Sequence, residues 1–155
     1  MDQYLTFLLG EQEYAIDILK VQGIQGWNSC TELPNTPAHV LGVINLRGAI
    51  VPIIDLRIRF ALPSVVYNDI TVIIVVSVVC NGQEKTVGLV VDAVSEVYNI
   101  NSSSLSVPPD FGAEVDIAYV QGLATVNDDL VIALNVDKLI AENLLGRIYS
   151  DISAA

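Results

Sequence analysis

Valine and isoleucine supply 39 of the 155 residues, and no other feature narrows the fold as much. Their branched side chains lose χ1 freedom in helices and pack well on pleated sheets. They gather in short runs between turn residues, which is how strands are written in sequence. The runs cover residues 4–9, 14–21, 48–54, 70–79, 86–91, 94–98, 118–126 and 130–136. Gly10-Glu11, Asn81-Gly82 and Asn127-Asp128-Asp129 separate three pairs of runs, and Asn-Gly in particular tolerates the positive φ of a tight hairpin. Many short strands at this spacing predict a barrel or a sandwich.

Helix signals are few. Thr36 to Gly42 reads as a single turn, with Thr36 as cap, Pro37 in the first position and Gly42 closing it. A short C-terminal helix is expected over residues 137–149. There Leu139, Ile140, Leu144, Leu145 and Ile148 share one face, and Arg147 suits the negative end of the helix dipole.

The chain also echoes itself. Ile16-Asp17-Ile18 to Ile24 resembles Val91-Asp92-Ala93 to Ile100, and Gly42 to Asp55-Leu56 resembles Gly122 to Asp137-Lys138-Leu139. Two β units in tandem would produce this pattern. Each would be too small to be comfortable alone and better off sharing a core.

Charge removes several function classes. A net charge of −11 is incompatible with general nucleic-acid binding, which rests on cationic contacts to phosphate, and it disfavours an anionic membrane surface. With 52% apolar and only 16% charged residues, some apolar surface is expected to face partners. No cationic stretch precedes an apolar one at the N-terminus. The longest apolar run, Val72 to Val76, falls far short of the roughly 20 residues of a spanning helix. The expectation is a cytoplasmic protein with no direct membrane insertion.

Chemistry is hard to assemble from these residues. His39 is the single histidine, and Cys30 and Cys80 lie far apart without metal or redox spacing, so no metal or other cofactor is expected. The cysteines read as small core fillers. There is no Ser elbow and no glycine-rich phosphate loop. Asp128-Asp129 reads as solvated charge at a hairpin tip. Catalysis is not expected.

What stands out instead is arginine. Arg47, Arg57 and Arg59 gather around Asp55 and could form a basic docking point for a carboxylate-bearing partner, or Arg57 or Arg59 could simply pair with Asp55. Arg47 lies in Asn45-Leu46-Arg47-Gly48 between two apolar stretches, where burial without a partner is unfavourable. A surface arginine beside apolar neighbours has the character of an interface anchor.

At these residues the sequence resembles the CheW family of bacterial chemotaxis coupling proteins. The resemblance runs through residues 14–22, Pro34-Asn35-Thr36-Pro37, residues 42–57, Tyr67-Asn68-Asp69, residues 87–97 and Tyr119-Val120-Gln121-Gly122-Leu123. It covers nearly the whole chain, and it is similar to the stand-alone coupling protein rather than to multidomain relatives. The resemblance implies an all-β fold of two tandem SH3-like five-stranded barrels sharing a core. It places one subdomain at about residues 14–82 and the second at about residues 83–140 together with the N-terminal strand 3–9.

The implied function is a non-enzymatic adaptor between the cytoplasmic tips of methyl-accepting chemoreceptors and the regulatory domain of the histidine kinase CheA, in membrane-associated arrays. Other copies of the coupling protein are further partners, in rings. Carried over residue by residue, receptor contact falls on Val21, Gly42, Asn45, Arg47 and Val97. Kinase contact falls on Gln22, Ile24 and Phe111. Where the family often has Glu-Ile-Arg-Gly, this chain has Gly23-Ile24-Gln25-Gly26, losing one acid and one base. A paralogous scaffold of a non-flagellar pathway or a kinase-free ring is therefore an alternative, and a small-ligand-binding barrel is the alternative from another class.

Overall fold

The computed structural model describes residues 2–34, 40–60, 62–63, 65–80, 82–101, 105–106 and 120–140. In chain order the strands are β1 (Asp2–Leu9), β2 (Gln12–Asp17), β3 (Val21–Gly26), β4 (Val40–Leu46), β5 (Ala49–Asp55), β6 (Val72–Cys80), β7 (Gln83–Val91), β8 (Ala93–Ile100), β9 (Val120–Val126) and β10 (Asp129–Leu134). Helix is confined to α1 (Leu56–Arg59), α2 (Val136–Leu139) and a 3-10 turn at Ile18–Lys20. The strands form two five-stranded sheets, ordered β8-β1-β2-β10-β9 and β3-β6-β7-β5-β4. The protein is nearly all-β, as expected of tandem SH3-like barrels.

One order maps onto the other. Each sheet holds an antiparallel hairpin (β4–β5, β9–β10), one parallel pairing (β5 with β7, β10 with β2) and a second hairpin (β6–β7, β1–β2). Each hairpin runs into a short helix capped by a side chain, Asp55 accepting from the N–H groups of Arg57 and Ile58, and Asn135 from that of Lys138. Thr31 bridges Val43 in one half as Ser106 bridges Leu123 in the other. The tandem echo is thus a repeated topology. The ladders pair Ile24 with Ile74 and Val97 with Leu5, which makes Ile24 and Val97 counterparts.

The two sheets share one core. Leu5, Phe7, Leu9 and Ile16 of one sheet pack with Ile54, Ile74, Val76 and Leu89 of the other, and with Leu56 and Leu139 from the helices. Each sheet keeps a smaller apolar cluster of its own, around Tyr4 and Val131 in one and Ile53 and Ile73 in the other. Polar clasps reinforce the junction. Arg57 Nε donates to Asp92 Oδ1 at 2.7 Å and Arg57 Nη2 to Asp92 Oδ2 at 2.5 Å. The Gly10 N–H, in the β1–β2 turn of the opposite sheet, donates to the same Oδ2 at 2.7 Å. Lys20 Nζ pairs with Asp137 Oδ2 at 3.1 Å, while Asp137 Oδ1 accepts from the Val79 N–H.

The Arg57 guanidinium holds the Asp92 carboxyl below its ordinary value, with burial opposing and the Gly10 N–H assisting. A depressed carboxylate stabilises the fold above its unfolded pKa, and that stability is lost as pH falls through the folded value. Asp92→Asn should therefore cost stability at pH 7 and cost far less at a pH below the depressed folded value of Asp92, where both proteins carry a neutral group. Urea titrations at the two pH values check this; a difference that persists unchanged into acid would show that the ion pair is not what holds the junction.

Several sequence expectations change. The run 14–21 is not one strand: Asp17 turns back to accept the Leu19 N–H, β2 stops, and the 3-10 turn carries the chain to the other sheet. Val40 to Gly42 are not the end of a helical turn but the start of β4, drawn into the sheet by pairing with β5. Arg57 spends its side chain on Asp92, while Asp55 accepts only its backbone N–H. The last strand run ends at Leu134, where Asn135 caps α2. The expected subdomain boundary at residues 82–83 falls inside the β6–β7 hairpin, which one sheet contains whole, and β2 joins β1 rather than β3. The expected helix 137–149 lies outside the described residues beyond residue 140.

Candidate interaction surface

The described candidates all lie on the outermost strands of the two sheets or at a hairpin tip. Val21, Gln22 and Ile24 are on β3, Gly42 and Asn45 on β4, and Val97 on β8, each a strand at the end of its sheet order. Outermost strands carry backbone groups with no ladder partner on one side, and are where a β protein is open to other chains. Phe111 lies outside the described residues, as does His39.

Arg47 occupies the two-residue turn between β4 and β5, with Leu46 paired to Ala49. Both turn residues have positive φ, Arg47 at 53° and Gly48 at 87°. This is the backbone of a type I′ hairpin, whose twist matches the flanking strands. Asn45 Oδ1 accepts the Gly48 N–H at 2.9 Å and pins the turn from below. Glycine suits such a backbone; arginine does not, because its Cβ crowds the following carbonyl at a cost of roughly 1–2 kcal/mol. The corresponding turn between β9 and β10 uses Asn127 and Asp128, at 52° and 68°, residue types that tolerate the conformation. Arg47 is exposed and forms no ion pair among the described residues. A strained, exposed cation with no local partner directs attention to a partner outside the chain.

The other candidates divide by what they touch. Gly42 is buried at φ 149°, and a Cβ there would lie 2.1 Å from the Thr31 carbonyl oxygen, so its first role is to let the segment at Thr31 close on β4. Val21 is half-buried against the shared core. Gln22 is exposed and accepts a hydrogen bond from the Thr86 hydroxyl at 3.3 Å. Ile24 and Val97 are 47% and 48% exposed, an apolar residue at the same place on each outer strand. The basic cluster is not assembled as a free patch, since Arg57 is committed to Asp92 and Arg59 reaches the Leu139 carbonyl.

Sequence reading missed two features. Ile50 and Leu130 are exposed aliphatics at matching positions beside the two hairpin tips, visible only once the register is known. Asp55 is buried, accepts from the Tyr67 hydroxyl, and Tyr67 packs on Trp27 with ring centroids 4.5 Å apart. Burial and the Asp55 carboxylate both push the Tyr67 phenol well up, so it stays protonated and donates. Burial likewise pushes the Cys30 thiol up, which suits a core filler rather than a nucleophile. Among the described residues no three His, Cys, Asp or Glu converge on a metal position, and no helix is long and apolar enough to cross a membrane.

Comparison with known proteins agrees with this architecture. The family model of the CheW-like domain matches residues 3–143. The chemotaxis protein CheW of Klebsiella aerogenes is 42% identical over 139 residues, covering 90% of this chain and 81% of that protein. The chemotaxis protein CheW of Rhizobium etli, so named as probable, is 33% identical over 140 residues, covering 90% and 88%. The crystal structure of the scaffolding protein TtCheW from Thermoanaerobacter tengcongensis superposes with a TM-score of 0.79 at 36% identity, covering 92% of this chain and 90% of that one. With its fold, its repeat and nearly its full length accounted for in this way, the chain belongs to the CheW family, the non-enzymatic scaffolds of bacterial chemotaxis.

Proposed function

We propose that this scaffold couples the cytoplasmic tips of methyl-accepting chemoreceptors to the histidine kinase CheA, from the cytoplasm and within membrane-associated arrays. The observation that carries the reading is Arg47, an arginine held in left-handed backbone at an exposed tip where glycine or asparagine would fit better. On the receptor side, Arg47 and Asn45 supply polar anchoring and Val97 apolar contact, while Gly42 and Val21 shape the strands that present them. A helical receptor tip laid along such a surface is a helix-in-groove contact. On the kinase side, Ile24 is an exposed apolar knob on β3 with Gln22 beside it, and Phe111 is assigned to the same contact. Contacts of this size are individually weak, and ring closure with further copies of the scaffold raises their avidity.

Ile24→Asp tests the kinase side. The side chain is half out of the fold and its backbone stays in the ladder with Ile74, so the variant should remain folded. Its affinity for the CheA regulatory domain should fall at least about tenfold, roughly 1.4 kcal/mol, by calorimetric titration. Unchanged affinity in a folded variant would remove β3 from the kinase contact. The neutral Gly23 and Gln25 beside Ile24 support a second reading, a paralogous scaffold with its own kinase or receptor set, since losing rim charges changes partner choice more than affinity. Binding to one kinase paralogue of the cell and not another separates the two.

A further inference from the structure

The repeat exposes a difference between the halves. In the β3–β4 half, the Trp27 N–H donates to the Thr71 carbonyl at 2.9 Å; in the other half, Ile100, paired with Asp2, takes the corresponding place. Trp27 and Tyr67 cover the apolar cluster of their half, beside Ile44 and Leu46. The matching positions beside Ile100 are Ala124 and Val126, so each of the three counterparts is smaller. Tyr67 has no equivalent connection either: it sits between α1 and β6, whereas β1 precedes α2 in the chain and is not joined to it. Tyr98 and Leu105 also pack against that cluster, and beside it a cavity of about 420 Å³ reaches the surface between β8 and β9. Ile100, Ala124 and Val126 line its interior, and the exposed Asn99, Asn101 and Thr125 form its rim.

We propose that this cavity receives a neutral aromatic ring bearing an N–H or O–H, the chemistry of an indole or a phenol. Its volume lies within the roughly 300–1,000 Å³ of ligand sites, and its described lining mixes aliphatic side chains with the polar Asn99, Asn101, Ser106 and Thr125. Among the described residues that line it none is charged, which suits a neutral ligand. Amide and hydroxyl groups at the rim suit the single polar atom of such a ring, as the Asp55 carboxylate suits Tyr67 in the other half. The ring could come from a tryptophan or tyrosine side chain of a partner protein or from a free molecule. The site stands independently of the coupling role.

The test is titration of isotope-labelled full-length protein with N-acetyl-tryptophanamide, followed by NMR. Saturable shifts should centre on residues 99–101 and 123–126. Restoring the bulk of the other half, with Ala124→Ile and Val126→Leu, should weaken binding about tenfold or more without lowering the melting temperature; Val126→Leu alone serves if the pair disturbs folding. An extended tryptophan-bearing peptide that binds at least about tenfold tighter than the amide assigns the ring to a partner chain, and equal affinity assigns it to a free molecule. Absence of shifts up to about 10 mM amide, or shifts indifferent to the filling variants, would overturn the proposal.

Discussion

Replacing Arg47 by glycine is expected to leave the protein as stable as before, or slightly more stable, and to abolish its coupling to receptors. The local term favours the change, because left-handed backbone costs a residue with a Cβ roughly 1–2 kcal/mol and glycine nothing. Glycine's greater freedom in the unfolded chain returns roughly 0.5–1 kcal/mol of that, so the net is near zero or mildly stabilising. The Asn45–Gly48 hydrogen bond that pins the turn involves no atom of the Arg47 side chain, and survives. Loss of an interface arginine anchor, by contrast, typically costs 2 kcal/mol or more, about 30-fold in affinity. Thermal melting and receptor co-sedimentation read the two effects separately. A variant that melts several degrees lower would make Arg47 a structural residue, and one that still couples would take the tip out of the receptor contact.

Gly42→Ala is expected to do the opposite, disabling the protein through its fold. The backbone at φ 149° lies where L side chains rarely sit, and the added Cβ would be 2.1 Å from the Thr31 oxygen, a backbone atom that cannot swing aside. Relief requires parting Thr31 from Val43, which exchange two hydrogen bonds of 2.8 Å. Two lost hydrogen bonds at about 1 kcal/mol each, with strain added, amount to at least about 3 kcal/mol, a large share of the 5–15 kcal/mol that holds a domain of this size. Gly48→Ala, at φ 87° with open space around its Cβ, should cost only the backbone strain of roughly 1–2 kcal/mol. Denaturant titration of the two variants gives the contrast directly. If Gly42→Ala kept full stability and lost only receptor binding, the glycine would belong to the contact itself rather than to the support beneath it.

How much could be read in advance depended on the distance over which the information acts. Hairpins are local, and the β1–β2 and β9–β10 turns stand where Gly10-Glu11 and Asn127-Asp128 announce them. Sheet membership is not local. Nothing in Gln12 to Asp17 shows that this strand pairs in parallel with β10, more than a hundred residues on, so the division of strands between the two sheets could not be read in advance. β4 was obscured because Pro37 and Gly42 read as helix punctuation, while the pairing with β5 that makes Gly42 a bulged strand residue is tertiary. In the sequence the one acid beside Arg57 is Asp55, and only the β7–β8 junction brings Asp92 to it. Arg47 stood out as a candidate from its glycine-flanked setting, but its left-handed backbone did not. The equivalence of Ile24 and Val97 became visible only when both ladders could be counted.

In this account one small scaffold joins receptor and kinase through separate residues, Arg47 at the β4–β5 tip for the receptor and Ile24 on β3 for the kinase. The most direct measurement is co-sedimentation of the full chain with a receptor signalling fragment and CheA from the same cell, with kinase activity followed in the pellet. The account predicts joint sedimentation with activated kinase, lost for Arg47→Gly through the receptor and for Ile24→Asp through the kinase. Folded protein that brings neither partner down, or kinase activation that survives both substitutions, would contradict it.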